Sequence, residues 1–385
     1  MMQPDYQQNS IVNLMASLGQ AMGYDSGHPS LSMLDTERLK SKQHIILWVI
    51  DGLGYKYLQN QTHSFLWQNC QTSITSVFPS TTATAISTFM TAQSPAEHGI
   101  TGWFMYLARV GMVSAVLPYV SRAGKLALNE GGLHIEDVLA LESWYGKLDR
   151  TSYTLSPAFI LDSPFNMMAT KGASREGFKS LQNFEETLLN QVKQSDHKSY
   201  HYAYWSELDA IGHQRGIGSD EFNQHFSLLD QSARRISEGL AGSDTTLLIC
   251  ADHGQINTDA SRVINISTDH VELAEMLLLP LCGEPRAAYC YVRPGCHDDF
   301  VRYINENLAD KVECYTAHEM IADGWYGDVQ KQNSFLTRIG DFVLIPKSDY
   351  VIKDRLPGEH SFYQIGTHGG ASEAEMLIPL IPIDC

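Results

Sequence analysis

His44-Ile-Ile-Leu-Trp-Val-Ile50 is an unbroken apolar run that ends directly at Asp51-Gly-Leu-Gly54. A run of this length and character is typical of a strand buried on both faces of a parallel sheet. Thr245-Thr-Leu-Leu-Ile-Cys-Ala251 repeats the design, and Ser199 to Trp205 is a third strand candidate. Because helical segments alternate with these strands, the sequence predicts an α/β fold with a mostly parallel central sheet.

The clearest helix is predicted over Asp220 to Leu240, where apolar residues recur at alternating spacings of four and three. They are Phe222, Phe226, Leu229, Ala233, Ile236 and Leu240. This spacing places them on one face of a helix. Such a helix would return the chain to the strand that precedes Asp252, as a right-handed crossover does.

Carboxylates and histidines follow the predicted strands. These residues are Asp51, Asp209, His213, Asp252, His253 and, near the C-terminus, His368 among glycines. Open α/β sheets keep their ligand sites at the carboxyl ends of strands. Carboxylate oxygen and imidazole nitrogen together suit zinc, and also manganese or iron. Taken singly, each residue is more often a cap or turn residue, but their joint occurrence indicates a metal site.

Phe78-Pro-Ser-Thr-Thr-Ala-Thr-Ala85 sets a run of hydroxyl residues where a helix should begin. Pro79 is expected to end a strand from Ser73 to Phe78. The free N–H groups of a helix start face an anion, so a threonine there can meet a phosphoryl group. The alternative is an ordinary Ser/Thr helix cap.

In order and spacing, these motifs resemble the type I phosphodiesterase and nucleotide pyrophosphatase family of the alkaline phosphatase superfamily, from Ile45 to Pro382. After a strand that ends in Asp-Gly, the matching residues are Phe78, Pro79, Thr82, Pro95, His98, Gly99, Ile100, Asp209, His213, Asp252, His253, Gly254, His368 and Gly369.

The resemblance implies an alkaline-phosphatase-like three-layer sandwich with an inserted cap, and a hydrolase of phosphodiester bonds. It implies two divalent metal ions, zinc being the first expectation. One would be held by Asp209, His213 and His368, and the other by Asp51, Asp252, His253 and the Thr82 oxygen. Thr82 would attack phosphorus and form a phosphoryl-threonine that water then hydrolyses.

Other functions remain open within the superfamily. The same ligand set serves phosphomonoesterases, phosphonate hydrolases and phosphoglycerate mutases, whereas the Cys/Ser-x-Pro-x-Arg context of a sulfatase is absent from the sequence. The threonine favours the diesterase branch. A metal-stabilised binding protein without catalysis is a more remote alternative.

Two departures from the family pattern concern substrate contacts. Ala85 stands where the eukaryotic-type members are expected to carry an asparagine, so backbone N–H groups at Thr82 and Ala83 would replace that donor. Trp103 and Tyr106 lie in an aromatic stretch after Ile100. They are interpreted as a stacking surface for a base or an aromatic leaving group, and packing against the core is the equal alternative.

A chain of 385 residues predicts one catalytic domain over 1–385, with a cap inserted at 267–358. The cap is placed there because His253 and His368 must approach each other across it. Arg286, inside this range, is interpreted as a surface charge or an ion-pair partner and is left out of the site.

Composition limits the partners. The net charge of −17 argues against binding long nucleic acid and leaves a small phosphate ester as the expected substrate. The seven cysteines show no disulfide spacing. With neither a signal-like N-terminus nor a membrane-length apolar run in the sequence, a cytoplasmic location is expected. The substrate alcohol and the oligomeric state are not indicated.

Overall fold

The computed structural model describes residues 1–139, 141–328, 335–359 and 363–385. Its main sheet has seven strands, of which five neighbouring ones are parallel; the sixth pairs antiparallel with both of its neighbours, so the seventh, at the edge, runs in the same direction as the five. In spatial order the strands are Thr72–Thr75, Leu377–Asp384, Thr245–Cys250, His44–Ile50, Ser199–Trp205, Thr151–Pro157 and Ser174–Phe178. The predicted α/β fold with a mostly parallel central sheet is confirmed.

The strand His44–Ile50 lies in the middle of the main sheet, and all seven of its residues are buried. It pairs in parallel with Ser199–Trp205 on one side and Thr245–Cys250 on the other. Burial on both faces explains the continuous apolar run, because neither side of this strand meets water. The aligned registers bring the carboxyl ends of three strands to one edge of the sheet.

Helices cover the main sheet in two groups: the first helix, Ile11–Ala21, packs on Thr82–Thr91, and Asp220–Gly239 packs on Leu181–Lys193. Other α-helices are Thr36–Ser41, Tyr55–Leu58, Phe65–Gln68, Pro95–His98, Ile135–Val138, Pro164–Ala169, Glu207–Arg215, Val271–Glu275, His297–Asn307, Ala317–Ala322 and Glu373–Met376. In the described parts of the chain, every helix is too short or too polar to span a bilayer.

A second sheet of seven strands is antiparallel throughout. In spatial order its strands are Val312–Thr316, Phe342–Pro346, Ala287–Cys290, Cys282–Glu284, Phe104–Leu107, Met112–Ala115 and Val120–Ser121. Two short pairs, Ile256–Asn257 with Gly366–Thr367 and Val263–Asn265 with Val351–Lys353, lie outside both sheets.

The second sheet draws strands from the predicted cap at 267–358, which stays a prediction, and from an earlier segment of the chain. Only four of its strands fall within 267–358, and the other three come from the chain before Arg122. The two segments join where Gly283 pairs with Phe104. The sequence pattern grouped strands by nearness along the chain and could not reveal a pairing across so many residues. A substrate-selecting role for this unit stays a prediction.

One predicted strand is shorter than expected. The chain leaves the main sheet after Thr75, whereas the prediction extended the strand to Phe78. Ser76 turns away and donates its hydroxyl hydrogen bond to the carbonyl of Asp252. Phe78 then enters the core of the second sheet, where its ring contacts Trp325 and Tyr326. This packing connects the two sheets directly before the helix at Thr82.

Candidate active site

The carboxyl edge of the main sheet brings the predicted metal ligands together. Asp51 follows its strand directly, and its N–H donates to the carbonyl of Trp205 at 2.9 Å. Gly52 then takes a φ of 75°, and a Cβ there would lie 3.0 Å from the Cβ of Asp209. The Asp-Gly pair is needed here because only glycine accepts this turn and this close approach.

Two groups of side chains place their ligand atoms within 4.8 Å of one another. The first cluster is Asp51, Asp252 and His253, and the second cluster is Asp209, His253 and His368. The rings of His253 and His368 are stacked with centroids 3.7 Å apart. His213 adjoins the second cluster, with its Nε2 3.1 Å from Oδ2 of Asp209.

Backbone carbonyls orient all three histidines. Nδ1 of His213 lies 2.8 Å from the carbonyl oxygen of Gly366, Nδ1 of His253 lies 3.0 Å from that of Gly254, and Nδ1 of His368 lies 3.2 Å from that of Ser80. A carbonyl only accepts hydrogen bonds, so Nδ1 must carry the proton in each ring. In the neutral ring Nε2 then keeps its lone pair, which is the arrangement that metal-binding histidines use.

The carboxylates of the first cluster are only partly compensated, with Nε2 of His253 3.4 Å from one oxygen of each. Burial, reinforced by Asp252 and Asp209, raises the pKa of Asp51 well above its usual range, and burial also raises the pKa of Asp252. Oδ1 of Asp51 and Oδ2 of Asp252 are buried and accept no hydrogen bond from the residues that the structure describes. Such oxygens are unfavourable unless a cation binds them. The residues present therefore fit a divalent metal ion.

Asp209 and His213 behave as an ion pair. Burial alone would raise the pKa of Asp209, but His213 outweighs it and holds that pKa below the usual range. Burial opposes the charge on His213 as well, yet the Asp209 carboxylate raises the pKa of His213 to about 9. The two residues lie four apart on the helix Glu207–Arg215, which places them on one face.

Thr82 is the first residue of the helix Thr82–Thr91. Its Oγ1 lies 3.1 Å from Nε2 of His253, the residue that both clusters share. The backbone N–H groups of Thr82 and Ala83 lie in the first turn of that helix, where N–H groups have no intrahelical partner. The hydroxyl and these N–H groups can thus meet one phosphoryl group at the clusters.

Neighbouring Thr81 makes a different contact, which the sequence did not indicate. Its hydroxyl donates to Oε1 of Glu284 at 2.7 Å, and the N–H of Trp103 donates to the same oxygen at 2.7 Å. Glu284 belongs to the second sheet and is 8% exposed. Burial raises its pKa to about 7 although both donors oppose the rise. A single glutamate in an apolar strand carries no recognisable sequence signal.

Two further polar residues hold the carboxylates and were also missed. The Tyr204 hydroxyl donates to Oδ2 of Asp51, and the Gln255 amide donates to Oδ1 of Asp209. Tyr204 could have been found from period-two alternation, because Tyr200, Tyr202 and Tyr204 share one face of their strand. Hydrogen bonds of this kind fix the orientation of metal-binding carboxylates.

The two predicted aromatic substrate contacts have different surroundings. The Trp103 side chain is 38% exposed, and its backbone joins it to Glu284. Tyr106 packs against the second-sheet core, with its ring centroid 5.4 Å from that of Tyr291. The surroundings of Tyr106 favour the core-packing alternative.

Ala85 and Arg286 are both buried. Ala85 is fully buried within the main apolar core, so an asparagine there would enter that core. Arg286 was correctly interpreted as an ion-pair partner but is not on the surface. It is 2% exposed and binds Glu375, with Nη2 2.9 Å from Oε2.

The sequence comparison assigns the family. The model of the type I phosphodiesterase / nucleotide pyrophosphatase family matches residues 45–121 and 129–371. The chain belongs to this family and is a hydrolase that acts on phosphodiester bonds. A comparison with curated protein sequences gives no match.

Solved structures with the same fold include three of ectonucleotide pyrophosphatase/phosphodiesterase 5. The murine protein is 16% identical, with a TM-score of 0.65 and 87% of each chain covered. The human protein is 16% identical, with a TM-score of 0.63, covering 88% of this chain and 87% of that one. An inactive murine variant in complex with AMP has a TM-score of 0.63 at 16% identity, with 87% of each chain covered. At this identity the likeness concerns the fold alone.

Proposed function

We propose that this chain hydrolyses small phosphodiesters by a two-step displacement in which Thr82 is the nucleophile. The observation that carries the proposal is the position of the Thr82 hydroxyl, 3.1 Å from Nε2 of His253. His253 belongs to both ligand clusters, so a phosphorus atom bonded to Thr82 would lie at their junction. The neighbouring Thr81 hydroxyl is occupied by Glu284 and is not placed for this role.

Two divalent cations, most simply zinc, are part of the proposal. Asp51, Asp252, His253 and Thr82 would hold one, and Asp209, His213 and His368 the other, with His253 close to both. When bound, such cations supply positive charge that lowers the pKa of a hydroxyl group and neutralises phosphate oxygens. The unpaired oxygens of the first cluster support this assignment, as does the Nδ1–H orientation of the histidines, which leaves Nε2 able to bind a cation in place of a proton.

The covalent steps follow from the position of Thr82. Its oxygen attacks phosphorus, the bond from phosphorus to the leaving alcohol breaks, and the alcohol departs with a proton. Water then attacks the phosphoryl-threonine, which releases a phosphomonoester and restores the Thr82 hydroxyl. The first-turn N–H groups of Thr82 and Ala83 can donate to the phosphoryl oxygens in both steps. No side-chain donor from position 85 is involved, because Ala85 is in the core.

The proposed substrate carries an aromatic or nucleoside group. Trp103 is a large exposed aromatic residue whose backbone is tied to Glu284 beside the nucleophile segment. An exposed indole ring offers a stacking surface for a base. The AMP complex of the murine structure supports a nucleotide-like ester.

A turnover comparison tests the proposed function. We expect the zinc-loaded protein to hydrolyse bis-p-nitrophenyl phosphate and a nucleoside p-nitrophenyl phosphate with higher kcat/KM than p-nitrophenyl phosphate. Preference for the monoester would instead indicate a phosphomonoesterase. Absence of turnover on all three, in protein that holds its metal ions, would support a binding protein.

A further inference from the structure

Glu284 is a carboxylate beside Thr81, the residue that precedes the proposed nucleophile. The proposed reaction assigns Glu284 no role. Both hydrogen bonds that it accepts from described residues go to Oε1, from the Thr81 hydroxyl and the Trp103 N–H. Oε2 accepts none from the described part of the chain.

The second sheet delivers Glu284 to the site at close range. The side chain packs so tightly on the loop of His368 that a Cβ at Gly369 would lie 2.6 Å from the Cβ of Glu284. Gly369 has a φ of 108°, so glycine is required there on two counts. Glu284 also interacts electrostatically with His213 and Asp209. Glu284 therefore lies beside the loop that carries His368 of the second cluster.

The distance to the reacting phosphorus is bounded by the chain. Thr81 and Thr82 are consecutive, and Glu284 lies 2.7 Å from the Thr81 hydroxyl. Consecutive Cα atoms are about 3.8 Å apart, which puts the carboxylate no more than about 11 Å from the Thr82 hydroxyl. At that distance, with an effective dielectric constant of about 20, each additional negative charge on a bound substrate weakens its binding about tenfold through repulsion by the carboxylate.

We propose that Glu284 sets the charge class of the substrate by disfavouring a doubly charged phosphate monoester relative to a singly charged phosphodiester. A phosphate monoester loses its second proton at a pKa of roughly 6 and is a dianion above it, whereas a diester carries one charge. This inference rests on the proposed function and deepens it. The carboxylate repels both esters, but it repels the dianion about twice as strongly as the monoanion, and this difference disfavours the monoester.

The test compares kcat/KM for p-nitrophenyl phosphate and bis-p-nitrophenyl phosphate at about pH 8.5, where a carboxyl group with a pKa of about 7 is ionised. Glu284→Gln and Glu284→Ala remove the charge, and Glu284→Asp keeps it. Glu313→Gln, on the outer strand Val312–Thr316 of the second sheet, is the matched control. Melting temperature and metal content are measured for each variant.

We expect both neutral variants to raise the monoester-to-diester ratio of kcat/KM about tenfold, because removing the negative charge speeds monoester turnover more than diester turnover. Glu284→Asp and Glu313→Gln should leave the ratio within about threefold of the wild type. If one neutral variant does not fold, the other decides. An unchanged ratio in a folded neutral variant overturns the inference alone, as does an equal rise in Glu284→Asp. A wild-type protein that hydrolyses neither ester overturns the proposed function and this inference with it.

Discussion

At the scale of single residues, adjacent threonines have different partners. Thr82 directs its hydroxyl to His253, and Thr81 directs its hydroxyl to Glu284. The motif in the sequence selected Thr82, whose hydroxyl lies beside His253 in the structure, and it gave no role to Thr81. The reason for the difference is local, because Thr81 is the extended residue before the helix and Thr82 is the first residue within it.

The raised pKa of Glu284 predicts a pH-dependent stability that Glu284→Gln removes. The pKa of Glu284 is about 7 in the folded protein and about 4.5 for an ordinary exposed glutamate, so the folded state holds the proton more tightly. The contribution of this proton to the free energy of unfolding is fully present below about pH 4.5 and is lost as pH rises through about 7.

We therefore compare chelator-treated Glu284→Gln with chelator-treated wild type. The difference between their free energies of unfolding should shift in favour of Glu284→Gln by roughly 2 kcal/mol when the pH is raised from about 5 to about 8. Urea unfolding at the two pH values measures the difference, with Glu313→Gln as control. A relative stability of Glu284→Gln that does not change with pH contradicts the assignment of a buried, proton-retaining carboxyl group.

Ala85 provides a second test at this scale. Because the residue is fully buried in the main core, Ala85→Asn should lower the free energy of unfolding by about 1–3 kcal/mol, the penalty for a buried unpaired amide. Urea unfolding measures it, and Ala322→Asn at an exposed helical position is the control. Higher kcat for diesters with normal stability would show that the asparagine reaches the phosphoryl group after all.

At the scale of elements, one buried ion pair joins the second sheet to both histidine loops. Arg286 opens the strand Ala287–Cys290 and binds both carboxylate oxygens of Glu375. Glu375 in turn accepts the N–H of Gly370 at its side chain and the N–H of Gly254 at its carbonyl, each at 2.8 Å. These glycines lie directly beside the segments that carry His368 and His253.

Arg286→Met should destabilise the protein by about 3–5 kcal/mol, because it leaves the Glu375 carboxylate buried and unpaired. Arg302→Met removes the exposed pair with Asp299 and should change stability by less than about 1 kcal/mol. Thermal or urea unfolding compares the two. Equal effects would mean that the Arg286 pair does not connect the elements as described.

The main-sheet strands were predictable and the second sheet was not, for a physical reason. His44–Ile50 is buried on both faces, so its pattern depends on little beyond its own residues. The strand Cys282–Glu284 is short and pairs with Phe104, far away in the chain. The candidate metal ligands could be proposed from the sequence because they come soon after a strand or lie among glycines. Glu284 and Gln255, in contrast, contact the site only through the packing of distant segments.

At the scale of the whole molecule, the candidate site lies on the carboxyl edge of the main sheet and takes Glu284 from the second sheet. The chain carries a net charge of −17, and the first cluster adds two buried carboxylates with unpaired oxygens. Cations in the clusters would offset this charge locally and allow an anionic ester to bind. The cytoplasmic location stays a prediction.

Metal removal should destabilise the whole protein as well as stop its turnover. Ligands that bind only the folded state raise its stability by mass action, so chelation should lower the melting temperature and zinc should restore it. Asp252→Asn should reduce the metal content, whereas Asp299→Asn on the surface should not. Elemental analysis after zinc reconstitution is expected to give two ions per chain, and less than one would contradict the two-site account.

The most direct test of the account is the turnover of bis-p-nitrophenyl phosphate by Thr82→Ala. The variant should keep its fold and both metal ions but lose activity by at least about 10³-fold, as enzymes do when their nucleophile is removed. Thr84→Ala is the matched control, because the Thr84 hydroxyl is buried without a hydrogen-bond partner among the described residues. It should stay close to wild type. Substantial activity in folded, metal-loaded Thr82→Ala would contradict the central claim that Thr82 is the nucleophile.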